Sequence, residues 1–177
     1  LYLRSEPRRL LQRVMDVAAK DWSVLDLGCN SGADLNLLHH GGWTNLFGVD
    51  AGRQALELFE VEYPETYSAS AITWDLFQRF LLRTPDKSFD LTYSNGATIE
   101  LVHPSFPIVA EICRVTKRTV MLETYELGEP YPRHYISQFK EAGFELTYAL
   151  RPNDLAKNSS LLHFSRTVPR LGLSSRA

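Results

Sequence analysis

Short apolar runs alternate along this chain with segments in which apolar residues recur every three or four positions. The apolar runs predict strands, because a strand buried on both faces shows little polar alternation. The three-to-four spacing predicts amphipathic helices. The predicted strands are 24–27, 46–50, 67–73, 89–94, 119–123, 144–150 and 161–167. The predicted helices are 8–20, 33–40, 54–62, 74–82, 104–114 and 135–142.

The order of these elements predicts an α/β fold. Strands that alternate with helices build a parallel sheet with helices on both faces. The last two strands are joined only by a polar linker, 151–160, and we expect them to run antiparallel to each other. We expect one domain over 1–168, in which 1–20 is an N-terminal helix suited to act as a lid. Residues 169–177 are expected to form a flexible tail.

Composition and charge exclude several classes of protein and favour a globular domain. With 177 residues, 44% hydrophobic and 23% charged, the chain is typical of a globular domain. Its net charge of −2 provides no overall attraction for nucleic acid. Cys29 and Cys113 have no metal-binding spacing, which favours a reducing compartment. No apolar run approaches the roughly 20 residues of a membrane span and no leader is recognisable, so we expect a cytoplasmic protein without a membrane partner.

The turn after the first strand, in Val24-Leu25-Asp26-Leu27-Gly28-Cys29-Asn30-Ser31-Gly32, carries the most informative chemistry. Gly28 and Gly32 let the backbone approach a ligand closely, and the following helix start offers free N–H groups to an anion. Asp26, aimed at the same place, suits a cation. A ligand with an ammonium and a carboxylate on one carbon, an amino-acid moiety, satisfies both features.

Two further carboxylates follow the next two strands. Asp50 ends the second strand, where an acidic side chain accepts hydrogen bonds from a ribose diol. Asp75 follows the third strand, where it can accept from an adenine amine, with Ala51 and Leu76 on either side of the ring. Amino acid, ribose and adenine together describe S-adenosylmethionine. A nicotinamide-binding domain is the main alternative, but Asp26 would oppose its pyrophosphate, and the GxGxxG spacing is missing.

The segments VLDLGCNSG, GVD, ITWDL and SFDLTYSNG, in this order, resemble the class I S-adenosylmethionine-dependent methyltransferases. The resemblance implies a Rossmann-like seven-stranded sheet in the order 3-2-1-4-5-7-6, with strand seven antiparallel. Asn30 replaces the usual middle glycine of the turn, and asparagine tolerates a left-handed backbone better than most residues. The implied cofactor-binding residues are Asp26, Gly28, Cys29, Asn30, Gly32, Asp50, Ala51, Asp75, Leu76 and Ser94.

The methyl acceptor is expected beyond the fourth and fifth strands, because ligands of open α/β sheets bind outside the carboxyl ends of the strands. His103 and His134 are the candidates for a general base. Tyr93 and Tyr135 are further candidates for the wall of an acceptor pocket. The candidate substrate-binding residues are Asn95, Glu100, Glu123, Tyr125 and Tyr131.

The loop segments, including GATIELVHP and EICRV, are most similar to bacterial methyltransferases acting on small molecules, among them sugar and secondary-metabolite enzymes. The expected reaction is therefore methyl transfer from S-adenosylmethionine to an oxygen or nitrogen of a small metabolite, with S-adenosylhomocysteine as product. No metal is expected, since Glu123-Thr124-Tyr125 stands where a catechol-type site has an Asp-Asn pair.

Two alternatives remain open. The first is an RNA or protein methyltransferase of the same fold, served by a basic N-terminal helix containing Arg4, Arg8, Arg9 and Arg13. The second is a catalytically silent, cofactor-binding regulatory subunit, which the Asn30 departure permits. A chain of 177 residues has no room for a large substrate-binding cap, so a second copy in a homodimer is an expected partner.

Overall fold

The computed structural model describes residues 8–96, 99–125, 130–151 and 159–167. Its strands are β1 (Val24–Leu27), β2 (Leu46–Asp50), β3 (Ala71–Trp74), β4 (Phe89–Asn95), β5 (Thr116–Thr124), β6 (Phe144–Leu150) and β7 (Ser160–Arg166). Its helices are α1 (Arg9–Val17), α2 (Ala33–His40), α3 (Arg53–Glu62), α4 (Pro64–Ala69), α5 (Phe77–Arg83), α6 (Ile108–Val115) and α7 (Tyr135–Glu141), with a 3-10 turn at Ile99–Leu101.

The strands form one sheet in the order β3-β2-β1-β4-β5-β7-β6. The pairs from β3 through β5 are parallel, whereas β7 is antiparallel to both β5 and β6. The expected fold, strand order and direction of strand seven are therefore confirmed. The carboxyl ends of β1, β2, β3, β4 and β5 consequently meet at one edge of the sheet, which positions the residues that follow them close together.

Helices cover both faces of the sheet and create two apolar cores. Leu25 and Leu27 of β1 pack toward α5, α6 and α7, in a core that also contains Ile112 and Phe139. Val24 packs in the other core, with α1, α2 and α3. Because successive strand residues point to opposite faces, Asp26 lies on the same side of the sheet as Val24 and α1.

Several predicted bounds are wrong for local reasons. The predicted strand 67–73 is in fact α4 followed by β3, because Pro64 occupies the first turn of a new helix, a position that proline favours. The helix predicted from 74 begins at Phe77 instead, because Trp74 completes β3 and the Asp75 carboxylate accepts the Leu76 N–H. Both differences arise where a turn residue ends one element and starts another.

Three other elements also begin or end elsewhere. The helix predicted over 104–114 begins at Ile108, because Phe106 N donates to His103 O (3.0 Å) in a turn that precedes the helix. The fifth strand begins at Thr116 rather than 119. The N-terminal helix ends at Val17 rather than 20, since Ala18 has an extended backbone. The predicted tail, 169–177, lies outside the described residues, as does Arg4.

The connection from β1 to α2 packs closely against α3. Gly32, at the start of α2, has a left-handed φ of +75°, and a Cβ there would lie 2.3 Å from the Phe59 ring. Phe59 is itself fixed, because it is fully buried and its ring packs edge-on against Tyr67, with the centroids 5.3 Å apart. Only glycine therefore fits both the conformation and the space at position 32.

We expect Gly32→Ala to lower the free energy of unfolding by about 3 kcal/mol or more, since it combines left-handed strain with a clash in the core. Gly42→Ala is the matched control. Gly42 has a φ of +93° with no atom within 4 Å of its Cβ position, so it should lose only about 1 kcal/mol. Chemical denaturation measures both losses, and equal losses would show that Phe59 imposes no constraint.

Candidate functional site

The turn between β1 and α2 holds three residues with a left-handed backbone. The φ angles are +96° at Gly28, +49° at Asn30 and +75° at Gly32. Gly28 N donates to Val49 O (2.9 Å), and Asn30 N donates to the Asp50 carboxylate (2.8 Å). Asn30 thus takes the conformation for which a glycine is usual, at the modest cost that asparagine pays there.

Asp50 organises the neighbouring strand end. Its Oδ2 accepts the N–H of Asn30, and its Oδ1 accepts the N–H of Gly52 at 2.7 Å. An ionised carboxylate has about four acceptor positions, so two bonds leave it able to accept from hydroxyls of a ligand. Ala51 follows on the exposed side, where its carbonyl accepts the Trp74 indole N–H at 3.1 Å.

Asp75 is more heavily engaged than the sequence suggests. Its Oδ1 accepts from Leu76 N and from Arg79 Nε, and Arg83 lies 3.8 Å from its Oδ2. Burial acts to raise the pKa of this carboxyl, but the hydrogen bonds from Arg79 and Leu76 outweigh it and leave the pKa below its usual value. Asp75 therefore stays ionised at neutral pH, with Oδ2 as its less occupied oxygen.

A cleft of about 330 Å³ opens beside the turn at the sheet edge. Its carboxylates are Asp26 and Asp34, and Asn95 Nδ2 donates to Asp34 Oδ2 at 3.2 Å. Among its described lining residues, Arg8 carries the one positive charge. The described lining residues are Arg8, Asp26, Gly28, Cys29, Asn30, Ser31, Ala33, Asp34, Leu58 and Asn95.

Asp26 is 2% exposed, and Tyr93 Oη donates to its Oδ2 at 2.8 Å. Burial and the negative charge of Asp34 raise the pKa of the Asp26 carboxyl well above its ordinary value, although the Tyr93 hydrogen bond and Arg8 act in the opposite direction. A cation placed in the cleft would relieve this unfavourable field. The cleft therefore suits a ligand group with positive charge near Asp26.

Sequence reasoning missed the positions of Arg8 and Tyr93. Arg8 immediately precedes α1, whose Leu10, Leu11 and Val14 are fully buried, and this packing brings the arginine to the cleft. Tyr93 lies in the core with its hydroxyl on Asp26, so it does not wall an acceptor pocket. Charge clustering in the N-terminal segment was the only available signal for Arg8.

Three other predicted site residues form hydrogen bonds within the protein. Ser94 is buried, and its hydroxyl donates to Leu27 O at 2.8 Å, so its side chain does not face the Asp26 side of the sheet. Glu100, 3% exposed, accepts the Tyr125 N–H at 3.3 Å. Glu123 pairs in register with Asn95 on the neighbouring strand and accepts from Ser159 Oγ at 3.0 Å.

The two histidines lie apart from the described lining of the cleft. His103 is exposed, its Nδ1 accepts the Ser105 N–H at 3.2 Å, and its ring packs edge-on against Tyr131 with centroids 5.2 Å apart. His134 precedes α7 and accepts from Ser137 Oγ through its carbonyl. Tyr135 is buried in the core, so it is not available as a pocket wall.

The described residues offer neither a candidate metal centre nor a helix suited to a membrane. They contain no group of three or more His, Cys, Asp or Glu side chains placed to hold a metal ion. None of their helices combines the length and apolar character needed to cross a bilayer. A second cavity, of about 370 Å³, lies between α6 and α7 and is lined by none of the predicted site residues.

Comparison with known proteins identifies the fold and the family. The sequence model of the methyltransferase domain family matches residues 24–119. A TehB-like SAM-dependent methyltransferase from Corynebacterium glutamicum has a similar structure, with 17% identity and a TM-score of 0.72 over 92% of this chain and 90% of that one. No curated protein sequence matches the chain.

Two other solved structures share the fold. A SAM-dependent methyltransferase from Mesorhizobium loti is 15% identical, with a TM-score of 0.67 over 87% of this chain and 95% of its own. A geranyl diphosphate methyltransferase in complex with SAM is 11% identical, with a TM-score of 0.71 over 89% of this chain and 84% of its own.

We expect Asp26→Asn to stabilise the ligand-free protein at neutral pH. Because folding raises the pKa of Asp26, its contribution to stability is present below the ordinary aspartate pKa and is lost as the pH rises through the folded value. Asparagine removes the charge and still accepts from Tyr93, so the melting temperature should rise by a few degrees at pH 7.

Thermal unfolding of both proteins from pH 4 to pH 8 checks this expectation. The advantage of the variant should grow with pH. An advantage that is absent at pH 8, or that shrinks as the pH rises, would contradict it.

Proposed function

The chain belongs to the methyltransferase domain family, and we propose that it transfers a methyl group from S-adenosylmethionine to an oxygen or nitrogen of a small metabolite. The observation that supports this proposal most directly is the charge arrangement of the cleft. Asp26 and Asp34 provide negative charge beside the glycine turn, and Arg8 provides positive charge at the same cleft.

The residues present fit the amino-acid end of this cofactor. Its ammonium and sulfonium groups are cations that the field of Asp26 and Asp34 would stabilise. Its carboxylate is an anion, for which Arg8 and the N–H groups at the start of α2 are suitable partners. This combination of charges does not suit a pyrophosphate, which would face two carboxylates.

Asp50 and Asp75 are proposed for the nucleoside end. Asp50 retains acceptor positions for the ribose hydroxyls, as its two bonds to backbone N–H groups fix its orientation. Asp75 Oδ2 is the proposed acceptor for the adenine amine. Ala51 and Leu76, which are both exposed at the ends of their strands, are proposed to contact the two faces of the adenine ring.

S-adenosylmethionine supplies an electrophilic methyl group attached to a good leaving group, so the protein chiefly has to align the acceptor and exclude water. We place the acceptor beyond Asn95, toward Glu123, Glu100, Tyr125 and Tyr131. Asn95 lines the cleft, and Glu123 is its neighbour across the β4–β5 register. The Glu123 carboxylate could orient a hydroxyl or an amine there.

A small acceptor is favoured over RNA by three observations. The net charge of −2 gives no general attraction for a phosphate backbone. One structural neighbour, of which 84% is covered, is named a geranyl diphosphate methyltransferase, and geranyl diphosphate is a small molecule. Arg8, one of the arginines that suggested an RNA-binding helix, lines the cofactor cleft instead.

Isothermal titration tests the cofactor assignment. Wild-type protein should bind S-adenosylmethionine and S-adenosylhomocysteine with micromolar affinity, about −8 kcal/mol, and should not bind NADH. Asp50→Asn should weaken both sulfur nucleosides about tenfold, through loss of ribose contacts. Asp16→Asn, on the exposed side of α1, is the matched control and should bind as wild type does. Binding of NADH, or of neither sulfur nucleoside, would refute the proposal.

His103 is the first candidate for a catalytic role, with His134 second. Since His103 Nδ1 accepts the Ser105 N–H, its neutral ring carries the proton on Nε2 and presents a donor. It would have to leave Ser105 to act as a base. If it does so, His103→Ala should lower kcat about 100-fold with little change in cofactor affinity.

The measurement is release of S-adenosylhomocysteine with an acceptor found by screening hydroxyl- and amine-bearing metabolites. His134→Ala tests the second candidate in the same assay, and His39→Ala, at the end of α2, is the control. Unchanged kcat in both His103→Ala and His134→Ala would show that neither histidine acts as a general base. The protein would then contribute chiefly by aligning the acceptor with the methyl group.

A further inference from the structure

Arg13, His163 and Tyr148 form a cluster on the α1 side of the sheet, away from the described lining of the cleft. Arg13 Nε donates to His163 Nδ1 at 3.3 Å, and its guanidinium carbon lies 4.6 Å from the centroid of the Tyr148 ring. His163 belongs to β7, is 5% exposed and pairs in register with Tyr148 of β6. The cluster therefore joins α1 to the antiparallel strands β6 and β7, at the β6 edge of the sheet.

The hydrogen bonds of His163 define its role as an acceptor. Because Nδ1 accepts from Arg13, the ring proton is on Nε2, which lies 3.3 Å from Ser165 Oγ. Burial, assisted by the positive charge of Arg13, lowers the pKa of His163 to about 4. The ring is consequently neutral at physiological pH and keeps Nδ1 available to Arg13.

The same helix leads to the cleft. Arg8 precedes Arg13 by five positions, about 7.5 Å along a helix axis, and lines the cleft that contains Asp26. The buried side chains of Leu10, Leu11 and Val14 hold α1 against the sheet. The bond from Arg13 to His163 depends on direction, so it adds a constraint on the rotation of α1 that apolar contacts alone do not supply.

We propose that Arg13, His163 and Tyr148 are positioning residues for the cofactor cleft, which set the place of α1 so that Arg8 reaches the carboxylate of the bound cofactor. This inference rests on the proposed binding of S-adenosylmethionine at that cleft. It links the β6–β7 edge of the sheet to cofactor affinity through one helix. None of the three residues is among the described residues that line the cleft.

Titration with S-adenosylhomocysteine tests the proposal in matched variants. Arg13→Met keeps the aliphatic stem but removes the donor, and His163→Leu removes the acceptor; each should weaken binding about fivefold. His163→Asn should bind nearly as wild type does, because its Oδ1 can replace Nδ1 as the acceptor. Gln12→Ala, which removes an exposed bond to Asp16 on the same helix, is the control and should leave affinity unchanged.

A double-mutant cycle separates positioning from a general loss of stability. If Arg13 acts through Arg8, then Arg13→Met should weaken binding about fivefold in the wild type but less than twofold in an Arg8→Met background. Equal effects in both backgrounds would overturn the proposal, as would wild-type affinity in Arg13→Met. Should His163→Leu fail to fold, the Arg13→Met and Arg8→Met cycle decides alone.

The same titrations distinguish this inference from the proposed function. Failure of the wild type to bind S-adenosylhomocysteine would refute the cofactor assignment itself. Normal binding by the wild type, together with unaltered binding by Arg13→Met, would refute only the positioning role.

Discussion

The hydrogen bond between Tyr93 Oη and the buried carboxylate of Asp26 is the interaction on which the rest of the site depends. It joins β1 to β4 where the turn leaves the sheet, and it partly compensates a charge that burial disfavours. A carboxyl group held in this way favours a positively charged ligand group in the cleft. The proposed preference for a sulfonium cofactor rests on that one buried carboxyl group and on Asp34 beside it.

The turn that follows Asp26 and β1 is hydrogen-bonded to the end of β2. The left-handed residues Gly28 and Asn30 donate their N–H groups to Val49 O and to the Asp50 carboxylate, and the second bond fixes Asp50 at the neighbouring strand end. The same curvature brings α2 so close to α3 that Phe59 excludes any side chain at position 32. Ligand geometry and core packing therefore constrain the same few residues, so changes in the turn should affect stability and binding together.

The α/β fold and the glycine turn could be predicted from alternating elements and turn residues, which are local signals, whereas the order of the strands was implied by the family resemblance. Asn30 illustrates this well, since its left-handed tolerance is a property of the residue itself. Contacts between distant segments could not be predicted in this way. Neither the bond from Tyr93 to Asp26 nor the approach of Arg8 to the cleft has a periodic signature. Each depends on how helices and strands pack after the fold forms.

Two residues of the candidate site lower the stability of the fold rather than raise it. The buried carboxyl group of Asp26 and a left-handed Asn30 each cost free energy, and neither is needed to form a seven-stranded sheet. Such departures persist where function requires them and the surrounding structure is strong enough to hold them. Here two apolar cores, one on each side of β1, provide that support. The two cores lie on either side of the strand that carries Asp26, so the buried carboxyl group is held by packing on both faces of the sheet.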